Sequence, residues 1–391
     1  MERKNLFNRK IFLFLSLVLG FTFFASTFLT GAKVLAQSVN TQDKSSIIIE
    51  YESGKVVYEN NADEKLQVAS IVKLMTTLLT IEEIEKGNLK LDDKLTSTEN
   101  AASMGGSQVF IDPFVQYKIE DMLKSVIVAS ANDAAVALAE HIAGSETGFV
   151  KRMNKRATEL GMTNTIYANS TGLPAPEEYS TARDTAIILK EIISHKTYHN
   201  YSTIWMDELV HSSGRKTEVV NTNKLSRYYK GCDSGKTGFT DEAGYCLTAS
   251  AQRDSLRFIA VSLGAKNSKT RFANVSNLLN YAFANFENTK VIDADSPLCQ
   301  LDVKMGKQNK AEIYAEQSYY ALNQKGEQTK YELSYSHPKS LKAPLKSGQK
   351  VGVVTITSEG KIIAEINLIV KDDLQKLTYK DAVNKVFENW A

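Results

Sequence analysis

Cysteine and histidine are scarce in this chain, three and five among 391 residues. Cys232, Cys246 and Cys299 make neither an even framework nor a metal-binding spacing, which excludes a disulfide scaffold and a zinc module. They read as free or singly paired structural residues. Five histidines leave no credible His-based triad. His195 and His199 lie one helical turn apart in "HKTYH" but lack the glutamate of a metal-hydrolase helix, and they read as solvated surface at a helix end. No metal or other cofactor is expected. An excess of one charge is missing too: 47 Lys and Arg against 45 Asp and Glu give +2, so nothing points to nucleic acid. No solenoid-like repeat and no low-complexity tract is present. What remains, 43% hydrophobic and 24% charged residues, is ordinary globular composition with length enough for two domains.

The N-terminus departs from that average. Arg3, Lys4, Arg9 and Lys10 precede an uncharged run from Ile11 to Thr30, followed by "GAKVLAQS" with small residues at Val34 and Ala36. This pattern reads as a secretory signal over residues 1–36, cleaved after Ala36. The same run is long enough to stay as a membrane span. Cleavage removes five bases and one acid, taking the formal charge from +2 to −2, and places the protein outside the cytoplasm, where disulfides are permitted.

Two β-rich runs around a Ser-Gly turn, residues 45 to 59, predict a hairpin. A helix beginning near Ser70 and ending before Gly87 is apolar nearly all round, the mark of a buried central helix. Helical patterns follow in "IEDMLKSVIVA", "NDAAVALAEHIAG", "GFVKRMNKRATELG" and "STARDTAIILKEIIS". After Gly231 the period changes to strands, "SGKTGFT", "YCLTASAQ" and "LRFIAVSLGA", then to the helix "RFANVSNLLNYAFANF". Helices flanked by early and late strands predict an α+β domain over residues 37–288, whose antiparallel sheet joins both chain ends. Short alternating runs over 289–376 predict a small all-β, sandwich-like domain. Residues 377–391, with Phe387 and Trp390 on an apolar face, predict an amphipathic helix that either docks on the β domain or lies on a membrane surface.

The stretch "VASIVKLMT" places Ser70 and Lys73 three apart. The S-x-x-K pattern alone carries nothing, because it recurs at Ser213/Lys216, Ser336/Lys339, Ser347/Lys350 and Ser358/Lys361. Those four contain Gly or Pro and read as turns. Only Ser70 opens an apolar helix, where Lys73 shares its face. There the lysine is desolvated and its pKa lowered toward that of a working base, and the helix N-terminus suits developing negative charge. "ASANDAAVA" places Ser130 and Asn132 between two helices, where Asn132 alone reads as an N-cap. "SGKTGFT" places Lys236, Thr237 and Gly238 near a strand end, able to hold an anionic group beside a close backbone. The three together, in that order and context, form a strong signal.

With these motifs and the stretches "LGMTNT", "STGLP", "YSTARD" and "KTGFTDEAGY", the chain resembles the serine-type D-alanyl-D-alanine carboxypeptidases, the low-molecular-mass penicillin-binding proteins. The resemblance covers nearly its whole length. It implies a penicillin-binding, β-lactamase-like transpeptidase domain of antiparallel sheet and helical subdomain. It implies Ser70 as acylated nucleophile, Lys73 as its base and Ser130 as proton relay. Asn132 would bind the peptide amide, and Lys236, Thr237 and Gly238 the substrate's anionic end, helped by Arg271. The oxyanion hole would be the N–H groups of Ser70 and Phe239. The implied partners are peptidoglycan stem peptides ending in D-Ala-D-Ala, β-lactams and, through the tail, the outer face of the cytoplasmic membrane. Val68, Val72, Phe114 and Ala131 depart from residues common in the family (Pro, Thr, Gly and Gly). Two alternatives stand beside this. A serine β-lactamase needs a carboxylate for its deacylating water, but Glu177 and Glu178 in "LPAPEEYSTARD" do not fit the E-x-x-L-N pattern. A penicillin-sensing or peptidoglycan-binding protein would have no need of both Lys73 and Lys236.

Overall fold

The computed structural model describes residues 39–381 and 383; the segment read as a signal peptide and most of the tail read as a helix lie outside them. The expected hairpin forms from β1 (Ser45–Glu50) and β2 (Val56–Asn60). It joins the late strands β3 (Cys232–Thr240), β4 (Gly244–Arg253) and β5 (Leu256–Ala265) in one antiparallel sheet of order β2-β1-β5-β4-β3. All six β1 residues are buried, so the sheet is covered on both faces and its side chains divide by the two-residue period. Ile47, Ile49, Ile259, Val261 and Leu263 enter one core with the helices α1 (Lys73–Glu85) and α5 (Ala182–Ile192). On the other face Phe258 meets Phe283 of α6 (Ser268–Asn285) edge-on, centroids 5.0 Å apart.

Helix α1 is buried at every position from Lys73 to Ile81, as its all-round apolarity predicts. Three further helices pack beyond it: α2 (Ile119–Val128), α3 (Asn132–Ala143) and α4 (Glu146–Glu159). Helices α2 and α3 share a second core with Leu95, Val109, Leu209 and Val219. Leu209 and Val219 belong to a hairpin, Met206–Val210 with Lys216–Val220, that the sequence patterns did not reveal. Its strands show only one buried residue each, too little alternation to read as strand.

Helix α6 runs directly into the strand Phe286–Ile292, which pairs with Tyr319–Gln324. The remaining C-terminal strands form a six-stranded sheet around Ile313, Val354, Ile356 and Leu368, the all-β unit expected from the alternating runs.

A buried carboxylate organises the loop between the second core and α3. Asp133, with no solvent exposure, accepts N–H bonds from Val109 (3.0 Å), Ile111 (3.1 Å) and Ala134 (2.9 Å). Asp133→Ala leaves these donors unpaired, and urea unfolding should show a loss of about 3 kcal/mol; a loss below about 0.5 kcal/mol would show that this carboxylate does not hold the loop.

Candidate active site

Residues Ala69–Val72 make a single 3-10 turn leading into α1. Ala69 sits at φ 49°, a left-handed conformation that an alanine adopts only when its surroundings impose it. The next residue is Ser70, and Lys73 follows one turn on. Two glycines press on this turn. A Cβ at Gly238 would lie 2.5 Å from the Val68 carbonyl oxygen and 3.2 Å from the Ser70 nitrogen. A Cβ at Gly172 would lie 2.0 Å from the Ala69 oxygen, and its φ of 74° already favours glycine.

Lys73 has no solvent exposure. Its Nζ lies 3.0 Å from Ser70 Oγ, donates to the Thr171 carbonyl at 2.6 Å, and donates to Asn132 Oδ1. Burial pushes its pKa down to about 7, against the opposing pull of the Glu178 and Asp133 carboxylates. Asn132 is therefore no N-cap: the cap residue is Ala131, which makes no side-chain cap bond. The Asn132 side chain instead spans from Lys73 to the Gly105 carbonyl, to which it donates at 2.7 Å. Its backbone N–H donates to Ser107 O at 2.7 Å, fixing the residue from both ends.

Ser130, between α2 and α3, also has a left-handed backbone, φ 61°. Lys236 Nζ donates to Ser130 Oγ at 2.6 Å and to the Thr237 carbonyl at 2.9 Å. Burial, then repulsion from Lys73 and Arg271, holds Lys236 well below the usual lysine range. Thr237 Oγ1 donates to Thr222 Oγ1 at 2.8 Å. Arg271 Nη1 donates to the carbonyls of Gly238 (2.9 Å) and Cys246 (3.4 Å), with the guanidinium 5.3 Å from the Tyr245 ring centroid. Its Nε is buried without a partner among the described residues. Phe239 turns its half-exposed ring onto Tyr245, centroids 4.2 Å apart.

The nine residues singled out in the sequence thus meet at the edge strand β3, the start of α1 and the α2–α3 junction. Sequence reasoning missed Thr171, which serves through its carbonyl, and Thr222, whose segment "VVNTNK" carries no periodic signal. The four other S-x-x-K serines lie outside this cluster, at strand ends and in turns. Phe114 stands at φ 62°, the conformation a glycine there would adopt freely, whereas Ala131 at φ −65° needs no glycine.

Nothing among the described residues makes a convincing metal site. Glu82, Glu191 and His195 converge, but Arg156 lies among them, donating to Glu82 at 2.7 Å and Glu191 at 2.6 Å. His195 opens a short helix (Lys196–Ser202) instead of ending one, and shares a 2.7 Å hydrogen bond with Glu85. All three cysteines are free; burial pushes the Cys232 and Cys246 thiols up to about 12 and about 11, which makes them poor nucleophiles.

Comparison with known proteins bears on the family and the fold. A family model described as D-alanyl-D-alanine carboxypeptidase matches residues 32–267, and one described as penicillin-binding protein 5, C-terminal domain, matches 286–376. The chain is 39% identical to D-alanyl-D-alanine carboxypeptidase DacF of Bacillus subtilis, over 89% of its own length and 90% of that protein. It is similar to the crystal structure of penicillin-binding protein 5 from Haemophilus influenzae (TM-score 0.69, 32% identity, 87% of this chain and 99% of that one). It is also similar to ampicillin-bound penicillin-binding protein D2 from Listeria monocytogenes (TM-score 0.56, 28% identity, 63% and 99%). A serine and a buried lysine on one turn, a second serine-lysine pair facing them and matches along both domains lead to one assignment: the chain belongs to the D-alanyl-D-alanine carboxypeptidase family of penicillin-binding proteins.

Proposed function

We propose that this chain removes the terminal D-alanine from peptidoglycan stem peptides through an acyl-enzyme on Ser70. The observation that carries this reading is Lys73: fully buried, with Nζ 3.0 Å from Ser70 Oγ. A neutral amine has two N–H donors and one lone pair. The donors go to Asn132 Oδ1 and the Thr171 carbonyl, leaving the lone pair for the Ser70 hydroxyl.

Ser70 Oγ then attacks the carbonyl carbon of the penultimate D-alanine as its proton passes to Lys73. The oxyanion forms at the N–H groups of Ser70 and Phe239. When the C–N bond breaks, the leaving amine takes a proton from Ser130, whose hydroxyl is held by Lys236 and which takes up in turn the proton held by Lys73. Water then attacks the ester as one of its protons passes to Lys73, and Ser70 leaves by taking that proton back. Thr237, Lys236 and Arg271 supply the hydroxyl and positive charge that a terminal carboxylate requires. A β-lactam enters by the same first step, but its leaving nitrogen stays tethered to the acyl group.

The substrate lies outside the cytoplasm, so residues 1–36 are read as the export signal, 37–288 as the catalytic unit and 289–376 as the β domain. No helix among the described residues is long and apolar enough to cross a membrane. Residues 377–391 are read as a surface anchor. Thr378 and Asp381 cap each other's backbone N–H groups at 3.0 and 3.3 Å, which supports a helix starting there.

Four outcomes are expected. Mass spectrometry after penicillin treatment should place the adduct on Ser70 alone, and Lys73→Ala should slow labelling by about 10²-fold or more with the thermal transition retained; an adduct on another serine would overturn the assignment. Release of D-alanine from a D-Ala-D-Ala peptide separates this enzyme from a pure penicillin sensor, and persistence of the penicillin adduct separates it from a β-lactamase. For the carboxylate site, Arg271→Ala should cost about 1.5–3 kcal/mol in kcat/KM for the free acid, with a smaller effect on a ligand lacking that carboxylate; equal losses would mean general disruption. Deleting residues 377–391 should release active enzyme from membranes after signal cleavage, and continued membrane association would show that the tail is not the anchor.

A further inference from the structure

Glu178 is buried, 4% exposed, in the connection leading to α5. Its place is fixed by the backbone bridge of its neighbour Tyr179 to Ile166, 2.9 and 3.1 Å. The carboxylate accepts the Ala168 N–H at 3.2 Å, and the Asn169 backbone adds a second such bond. Asn169 Oδ1 in turn accepts Thr171 N–H (3.0 Å) and Gly172 N–H (2.6 Å). Ser170 is tied by its N–H and hydroxyl to Glu146, and its carbonyl accepts Thr76 Oγ1 at 2.7 Å. The end of this chain of bonds is the Thr171 carbonyl, 2.6 Å from Lys73 Nζ.

We propose that Glu178 is a positioning residue for the reaction: its carboxylate pins the segment Ala168–Gly172 that delivers the Thr171 carbonyl to Lys73, and together with Asp133 it supplies negative charge against which the Lys73 amine is balanced. Pinning alone does not need a charge. A glutamine oxygen would accept the same two N–H bonds without the desolvation of a carboxylate, and no ion pair among the described residues includes Glu178. The cation that acts on it is Lys73.

The groups around this pair come from several elements. Lys73 lies on α1, Asp133 on α3 and Glu146 at the head of α4; Lys236 on β3 opposes Lys73, and Arg271 on α6 opposes Lys236. Tyr167 lies just before the pinned segment and is itself held protonated by burial and by Glu178. Burial raises Glu178 to about 7, the value to which burial lowers Lys73. The charge of each favours the charged form of the other, so loss of the carboxylate bears on the Lys73 titration. Acylation needs the neutral amine, so its rate rises with pH through that titration. Without the carboxylate, the ammonium loses an attractive partner and the amine stays neutral to lower pH.

The inference rests on the Ser70–Lys73 reading, and the test separates the two. The acylation rate of the full chain by a fluorescent penicillin is measured from about pH 5 to pH 9. Glu178→Gln should move the midpoint of the acid limb down by about half a unit or more. Glu146→Gln loosens the same segment at Ser170 and should lower the rate, but by easing ionisation of Glu178 it should not move the midpoint down. Exposed Glu177→Gln should change neither. An unmoved midpoint in Glu178→Gln, with Ser70 labelled normally in the wild type, overturns this proposal alone; absence of a Ser70 adduct in the wild type overturns the functional reading with it. If Glu178→Gln does not fold, infrared titration of the wild type decides: a buried carboxyl must titrate in step with the acylation limb, and its absence overturns the proposal.

Discussion

An amine with no access to water, at the head of a helix buried on every side, is the constraint around which this molecule is arranged. Burying an ammonium without compensation costs far more than a folded domain has in reserve. Lys73 meets that cost by losing its proton near neutrality and by placing its nitrogen against three oxygens from separate parts of the chain: Ser70, Asn132 and Thr171. Each oxygen has a fixed origin. Asn132 is tied at its backbone and side chain to the loop at Gly105 and Ser107, and Thr171 is clamped through Asn169 and Ser170.

The same arrangement explains where backbone strain resides. Ala69 and Ser130 are non-glycine residues with left-handed backbones, one beside Ser70 and the other carrying the second hydroxyl. Such conformations cost roughly 1–3 kcal/mol each and persist where the surroundings over-determine them. Here those surroundings are the edge strand β3 packed on the Ser70 turn, and the two helices on either side of Ser130. The sheet, α1 and the α2–α3 junction therefore set the distance between the two serine-lysine pairs, while the C-terminal β sheet contributes none of the nine residues gathered there.

Much of this was legible in the sequence because it rests on period and punctuation. The all-round apolarity of residues 71–84 marked the central helix, the change of period after Gly231 marked the sheet, and three short motifs in order marked residues that the fold brings together. What stayed hidden has no such signature. A carbonyl acts without its side chain, so Thr171 left no trace in its residue type. Thr222 is one hydroxyl residue among many. Asn132 obeys the spacing of an N-cap, and only the fold shows that its amide is engaged elsewhere. Glu178 was visible only as a failed match to another enzyme's pattern, since burial behind a loop is a property of tertiary structure.

The glycines at 172 and 238 carry a consequence for how such a site can change under antibiotic selection. A common way to exclude an inhibitor is to thicken a wall of the pocket by one carbon. Here a single methyl group at either position runs into main-chain atoms of Val68 or Ala69, and so displaces the Ser70 turn itself. Insensitivity to β-lactams would therefore have to arise away from these two contacts, where an added carbon does not press on the Ser70 turn.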